Sequence, residues 1–273
     1  MSECCFDAAL NPLMVSLSNH ERSDPHRILP LSLRQAQGER HPPMSLVMSE
    51  YYSANAPCRV LGLGTVSYVR AWRWQRALMQ ARQEGRVPDL LLLLEHSPTY
   101  TLGLRGDAGN VLASAEELAA LGAALHRVDR GGDVTFHGPG QLVGYPILHL
   151  KGPWQDIHAY LRALEDVLIG TLADYGIAAG RLPGHTGVWV DGNLKIAAIG
   201  VKISRWVTSH GFALNVNTDL CYFDRIVPCG LRGKAVTSME RLLGAPVELG
   251  DVARRLARRF GERFGLRMEG RRL

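Results

Sequence analysis

Five consecutive leucines at positions 90–94, bracketed by Asp89 and Glu95, constrain the fold of this chain more than any other segment. A membrane span needs about 20 apolar residues, so the run is far too short for one. Its length and the Pro98 that follows suit a buried strand. Such a strand needs apolar layers around it. With 273 residues, 46% of them apolar, the chain can build a sizeable core without disulfide or metal staples. The same figures, with 21% charged residues, exclude a wholly disordered chain, a collagen and a disulfide scaffold.

Around this strand the pattern alternates irregularly. Residues 59–63 read as a short strand and 66–82 as a helix with a partial 3.6-residue period. A short helix is expected at 115–121, a short strand at 125–128 and an extended segment at 141–150. Residues 154–175 form a clear amphipathic helix, with Ile157, Tyr160, Leu161, Leu164, Val167, Leu168 and Leu172 on one face. Asp191-Gly192-Asn193 between 188–190 and 195–203 is a strong hairpin signal. A strand at 212–216 and helices at 238–243 and 251–264 complete the pattern. It predicts one α/β (α+β) domain with a mixed β-sheet and packed helices.

Residues 1–50 differ. They hold Pro12, Pro25, Pro30, Pro42 and Pro43 and no sustained apolar period. They read as a disordered arm or as sequence upstream of a true start at Met44 or Met48, which leaves 51–273 as the catalytic domain. Glu3 and Asp7 precede any apolar stretch, unlike a secretory signal. Five cysteines with no C-x-x-C pair argue against a disulfide framework or zinc ribbon, and a reducing cytoplasm is the expected compartment.

Three places concentrate chemistry. The first is Arg130-Gly131-Gly132-Asp133-Val134-Thr135-Phe136-His137-Gly138-Pro139-Gly140-Gln141. Its glycines let the backbone approach a ligand and present N–H groups, and the spacing fits neither a phosphate loop nor a dinucleotide fingerprint. It is a ligand-binding wall or a pair of tight turns around an edge strand. The second is Lys195, at the start of an apolar strand. Half-buried, it is a candidate base or ion-pair partner; snorkelling, it is a surface residue. The third is Cys229, between Pro228 and Gly230, which either sits at a loop apex as a nucleophile needing a nearby cation or base, or is a small buried hydrophobe. Cys58 and Cys221 take the buried reading. His210, before Gly211, either lines the same pocket or is a structural residue at a strand start.

In order and spacing these pieces resemble the lipoyl(octanoyl) transferases, the octanoyltransferases of lipoate biosynthesis, over roughly residues 58–245. The resemblance rests on the 130–141 segment, Gly187-Val188-Trp189-Val190, Lys195-Ile196-Ala197-Ala198-Ile199-Gly200, His210-Gly211-Phe212-Ala213-Leu214-Asn215 and Pro228-Cys229-Gly230. It implies a fold related to the catalytic domains of biotin protein ligase and lipoate ligase. It implies transfer of an octanoyl group from octanoyl-acyl carrier protein to a lysine of apo lipoyl domains, those of 2-oxoacid dehydrogenase complexes and the glycine cleavage H protein. Cys229 would carry the acyl group as a thioester and Lys195 would lower its pKa and shuttle protons. Substrate contacts would come from Arg130, Gly131, Gly132, Asp133, Val134, Thr135, Phe136 and His137, from Ala198, Ile199 and Gly200, and from Gly211, Phe212 and Ala213. No cofactor, metal or ATP is implied, because a thioester is already activated toward an amine.

Three other functions compete with this one. An ATP-dependent lipoate or biotin ligase needs an adenylate loop and no cysteine. A Cys–His hydrolase would use His137 or His210 as base. A binding module would lose nothing on Cys229→Ala. The formal charge is +5, and residues 251–273 carry eight arginines against Asp251, Glu262 and Glu269. That helix is a solvated face or a surface that steers an acidic partner. Carrier proteins and lipoyl domains are acidic as families, so neither nucleic acid nor membrane is needed to explain the charge.

Overall fold

The computed structural model describes residues 55–227 and 234–270. The leucine run forms the middle of β2 (Asp89–Glu95). Because successive side chains of a strand point to opposite faces, Leu91 and Leu93 enter one core while Leu90, Leu92 and Leu94 enter another. The first core is covered by α3 (Ile157–Ala173) and α5 (Leu249–Phe264). The second is covered by α1 (Tyr68–Gln83), through Ala71, Leu78 and Ala81. The strand is thus buried on both faces, as its composition requires.

β2 pairs in parallel with β1 (Ala56–Thr65) and antiparallel with β6 (Gln141–Ile147), so the sheet is mixed. Across it the order is β12-β1-β2-β6-β10-β9-β8-β7, where β7 is Gly180–Leu182, β8 His185–Val190, β9 Leu194–Ser204, β10 Val207–Asn215 and β12 Leu266–Glu269. The two-residue β11 (Ala235–Val236) pairs in parallel with β9. A second, three-stranded sheet, β4-β3-β5, joins Ala124–Arg127, Thr99–Leu102 and Val134–His137 around its own core of Tyr100, Phe136 and Phe223. Two short helices, α2 (Ala115–Ala120) and α4 (Met239–Leu243), complete the list.

The predicted hairpin is present. Asp191 and Gly192 both take left-handed φ values, 49° and 69°, which a tight turn between twisted strands requires. The helix predicted at 154–175 is shorter, because Asp156 caps it by accepting from the N–H groups of His158 and Ala159. Ile157, expected on its buried face, is 49% exposed at that first turn. Cys221, expected to be buried, is exposed on a 3-10 turn at Leu220–Arg225, whereas Cys58 is fully buried.

α5 buries Val252, Leu256, Phe260 and Phe264, the stripe expected of it. Full burial of such side chains contributes about 1.5–3 kcal/mol each. Its arginines are engaged within the fold. Arg258 and Arg259 pair with Asp174, Arg263 with Asp166, and Arg255 with Asp251. Among the described residues no helix is long and apolar enough to cross a membrane.

Candidate active site

A cavity of about 550 Å³ opens between the glycine-rich segment and the middle of the large sheet. One wall is Arg130, Gly131, Gly132, Asp133, Val134 and Thr135, with His137 deeper in. The opposite wall is Ala198, Ile199 and Gly200 of β9 and Gly211, Phe212 and Ala213 of β10, with Lys195 further along β9. Sequence segments about 70 residues apart are thereby brought face to face. The approach is close. The Gly131 N–H donates to the Val201 carbonyl at 2.9 Å, and a Cβ on Gly200 would lie 2.8 Å from the Gly131 oxygen. Phe136 is the one expected wall residue not on the cavity. It alternates with Thr135 and His137 along β5, points to the other face and stacks on Tyr222.

The charged side chains of this wall have structural work. Arg130 is 7% exposed, and its Nη2 donates to the Thr101 carbonyl at 2.7 Å and to Thr101 Oγ1 at 2.8 Å. Asp133 accepts from the Asp107 N–H at 3.1 Å and the Asn110 side-chain amide at 2.6 Å. Arg130 thus fastens the glycine-rich wall to β3 and Asp133 fastens it to the segment after β3, whose Arg105 also lines the cavity. The sequence reading missed Arg105, since no motif surrounds it.

His137 is enclosed. Gln141 donates through Nε2 to the Phe136 carbonyl and to Asn215 Oδ1, so its Oε1 accepts from His137 Nδ1 at 2.9 Å. Burial, with His96 and Arg130 nearby, drives the His137 pKa well below its ordinary 6.5. His96, behind it, donates from Nδ1 to the Val66 carbonyl and accepts at Nε2 from the Tyr145 hydroxyl, and burial lowers its pKa to about 4. Both rings are neutral at physiological pH.

His210 lies within β10, not at a strand start. Its φ of 55° turns its N–H out of the ladder toward Gln75 Oε1, at 2.7 Å. Its Nε2 is 2.9 Å from Asp129, which also accepts from Lys202 at 2.6 Å and Trp72 at 3.1 Å. The His210 hydrogen bond first, and then Lys202, hold the Asp129 carboxyl below the usual carboxylate range. Because the carboxylate accepts, Nε2 is the donor, and burial lowers the His210 pKa against the pull of Asp129. Asp129 had no sequence signal, because its partners come from α1, β9 and β10.

Lys195 is 9% exposed. Its Nζ is 5.1 Å from the centroid of the Trp189 ring. Its carbonyl accepts from the Thr237 N–H at 2.9 Å, and Val236 is its partner in β11. A small inner cavity of about 20 Å³, lined by Lys195, Thr135, Gln141 and Asn215 among others, lies beside it. Pro228, Cys229 and Gly230 fall in the segment 228–233, outside the described residues. The described chain on its C-terminal side is the strand fastened to Lys195.

The chain is similar to known proteins in sequence and in fold. Residues 67–261 match the lipoyl protein ligase A/B catalytic domain. Among solved structures, a putative lipoate protein ligase from T. acidophilum superposes with a TM-score of 0.61 at 18% identity, covering 79% of this chain and 88% of that one. A lipoate-protein ligase A bound with ATP gives 0.57 at 18% identity, over 80% of this chain and 88% of that one. The fold is therefore that of the lipoate ligase catalytic domains, as expected. Sequence narrows the class. An octanoyltransferase of Rubrobacter xylanophilus is 55% identical over 204 residues, 74% of this chain and 91% of the relative. One of Solibacter usitatus is 54% identical over 211 residues, 77% and 94% respectively. The chain belongs to the octanoyltransferase family and is an acyltransferase.

Proposed function

We propose that this enzyme transfers an octanoyl group from octanoyl-acyl carrier protein to a lysine of apo lipoyl domains through a thioester on Cys229. The acceptors are the lipoyl domains of 2-oxoacid dehydrogenase complexes and the glycine cleavage H protein. The observation that carries the reading is the position of Lys195. Its side chain lines the cavity, its carbonyl accepts from the Thr237 N–H, and β11, which pairs with it, lies just after the Cys229 segment in sequence.

In the first half-reaction the Cys229 thiolate attacks the thioester carbonyl carbon. A carbon–sulfur bond to Cys229 forms, the bond to the carrier breaks, and the carrier sulfur leaves and takes a proton. In the second, the acceptor ε-amine attacks the same carbon. The amide bond forms, the amine gives up a proton, and the Cys229 sulfur departs as thiolate. A cation beside the thiol favours its thiolate, and Lys195 supplies that cation. In this reading it also accepts and returns the protons exchanged between the steps. Backbone N–H groups of the glycine-rich walls suit the oxyanion of each tetrahedral intermediate. The aliphatic and aromatic surface of Ile199, Phe212 and Ala213 suits an eight-carbon chain, in a cavity of ordinary ligand size.

The second reading, an ATP-dependent ligase, draws on the shared fold. Transfer from octanoyl-acyl carrier protein to an apo lipoyl domain is expected without ATP, and Cys229→Ala is expected to abolish it. Dependence on ATP together with an active Cys229→Ala variant would support the ligase instead.

A further inference from the structure

Lys195 does not reach the cavity by simple strand alternation. Between β8 and β9 the register shifts, so that Val188 faces Ala197 while Trp189 faces Lys195. β9 therefore carries one extra residue, Ile196. Ile196 and Ala197 both enter the core with Val188 and Val190, and Lys195 and Ala198 both face the cavity. A bulge re-aims side chains in this way. Lys195 then lies across its cross-strand neighbour, with Nζ 5.1 Å from the centroid of a Trp189 ring only 3% exposed. Beside it Gly187 has φ of 121°, and a Cβ there would stand 2.6 Å from the Ala197 oxygen and 2.8 Å from Lys195 Cε. The Gly187 N–H is held at 3.1 Å by buried Glu165, whose other oxygen binds Arg162 at 2.6 Å and Arg181 at 2.8 Å.

We propose that Trp189 is a positioning residue for the Lys195 ammonium: its ring face holds the cation on the cavity side of β9, in a gap that Gly187 leaves open. An aromatic face attracts an ammonium, and more strongly where water is excluded. The bulge sets the direction of the lysine, and the ring sets where its charge rests. Trp189 acts on the reaction only through Lys195, so the inference rests on the reading that Lys195 activates the Cys229 thiol.

The test is iodoacetamide alkylation of the full chain as a function of pH, read by mass spectrometry on the tryptic peptide 226–232. That peptide contains Cys229 and no other cysteine, which separates it from exposed Cys221. Trp189→Leu is expected to move the profile to higher pH and slow alkylation near neutrality roughly two- to thirtyfold, with Trp189→Phe between it and the parent. In a Lys195→Ala background neither substitution is expected to add a further shift. An unchanged profile in Trp189→Leu, or an equal shift with and without Lys195, overturns the role of Trp189. Should the leucine variant fail to fold, the phenylalanine variant carries the same comparison. If Lys195→Ala itself leaves the profile unchanged, the activating role of Lys195 falls, and Trp189's with it. A Lys195→Ala shift without a Trp189 shift removes only the latter.

Discussion

Three histidines beside the cavity are held neutral by burial, and each ties stability to pH. His96, His137 and His210 all have pKa values below the ordinary 6.5. In the unfolded chain each takes up a proton near pH 6.5, while in the fold it does so only at lower pH. The unfolded state therefore binds more protons, so stability rises with pH and is lost as pH falls through this window. For His96 the window runs from 6.5 down to about 4. Each such group costs up to about 1.4 kcal/mol per pH unit. The urea midpoint is expected to drop between about pH 7.5 and pH 5, with a shallower drop in His96→Gln. Equal midpoints at both values would contradict the neutral assignment. The sequence picked out His137 and His210 through their motifs, but His96 only weakly, because its partners Val66 and Tyr145 lie 30 and 49 residues away. It named Arg130 as a ligand contact without showing that Thr101 occupies much of its guanidinium.

Long and strongly patterned elements were legible in the sequence: β2, α3, α5 and the β8–β9 hairpin. β3, β7, β11 and β12 have two to four residues each and no period long enough to read, and β5 was legible only as an edge strand between tight turns, one of two readings of its segment. The first half of β10 was missed because Thr208, Ser209 and His210 look like a polar loop. They are buried there with polar partners: Thr208 Oγ1 donates to the Pro146 carbonyl and accepts from the Leu148 N–H. The pairing of β10 with β6 also sets the depth of the cavity. Phe212 faces Gly144, and a Cβ on Gly144 would stand 2.0 Å from the ring tip. Gly144→Ala must displace that ring, which lines the cavity. The overpacking is expected to cost about 1–3 kcal/mol. The rate ratio of octanoyl to shorter acyl donors should fall in this variant. A ratio equal to that of the parent would show that Phe212 does not limit acyl length.

Across the whole molecule, the mixed sheet serves to bring the 130–135 wall against β9 and β10. Local sequence proposes that wall, whereas its opposite side, residues 198–200 and 211–213, was expected only from the family resemblance, because the pairing is long-range. Charge was legible only as a total. The arginines of α5 are largely matched by Asp166, Asp174 and Asp251, so this helix is chiefly fastened to α3 and the strength of its steering field is reduced. The catalytic unit is proposed to lie within residues 51–273. A chain starting at Met48 should transfer octanoyl groups as fast as the full chain; a rate near zero would assign residues 1–47 a part in the reaction. The full chain mixed with octanoyl-acyl carrier protein and no acceptor should gain one octanoyl group, located by mass spectrometry on peptide 226–232. Adding an apo lipoyl domain should remove it. Transfer at full rate with no adduct on that peptide, and with Cys229→Ala still active, would contradict the account.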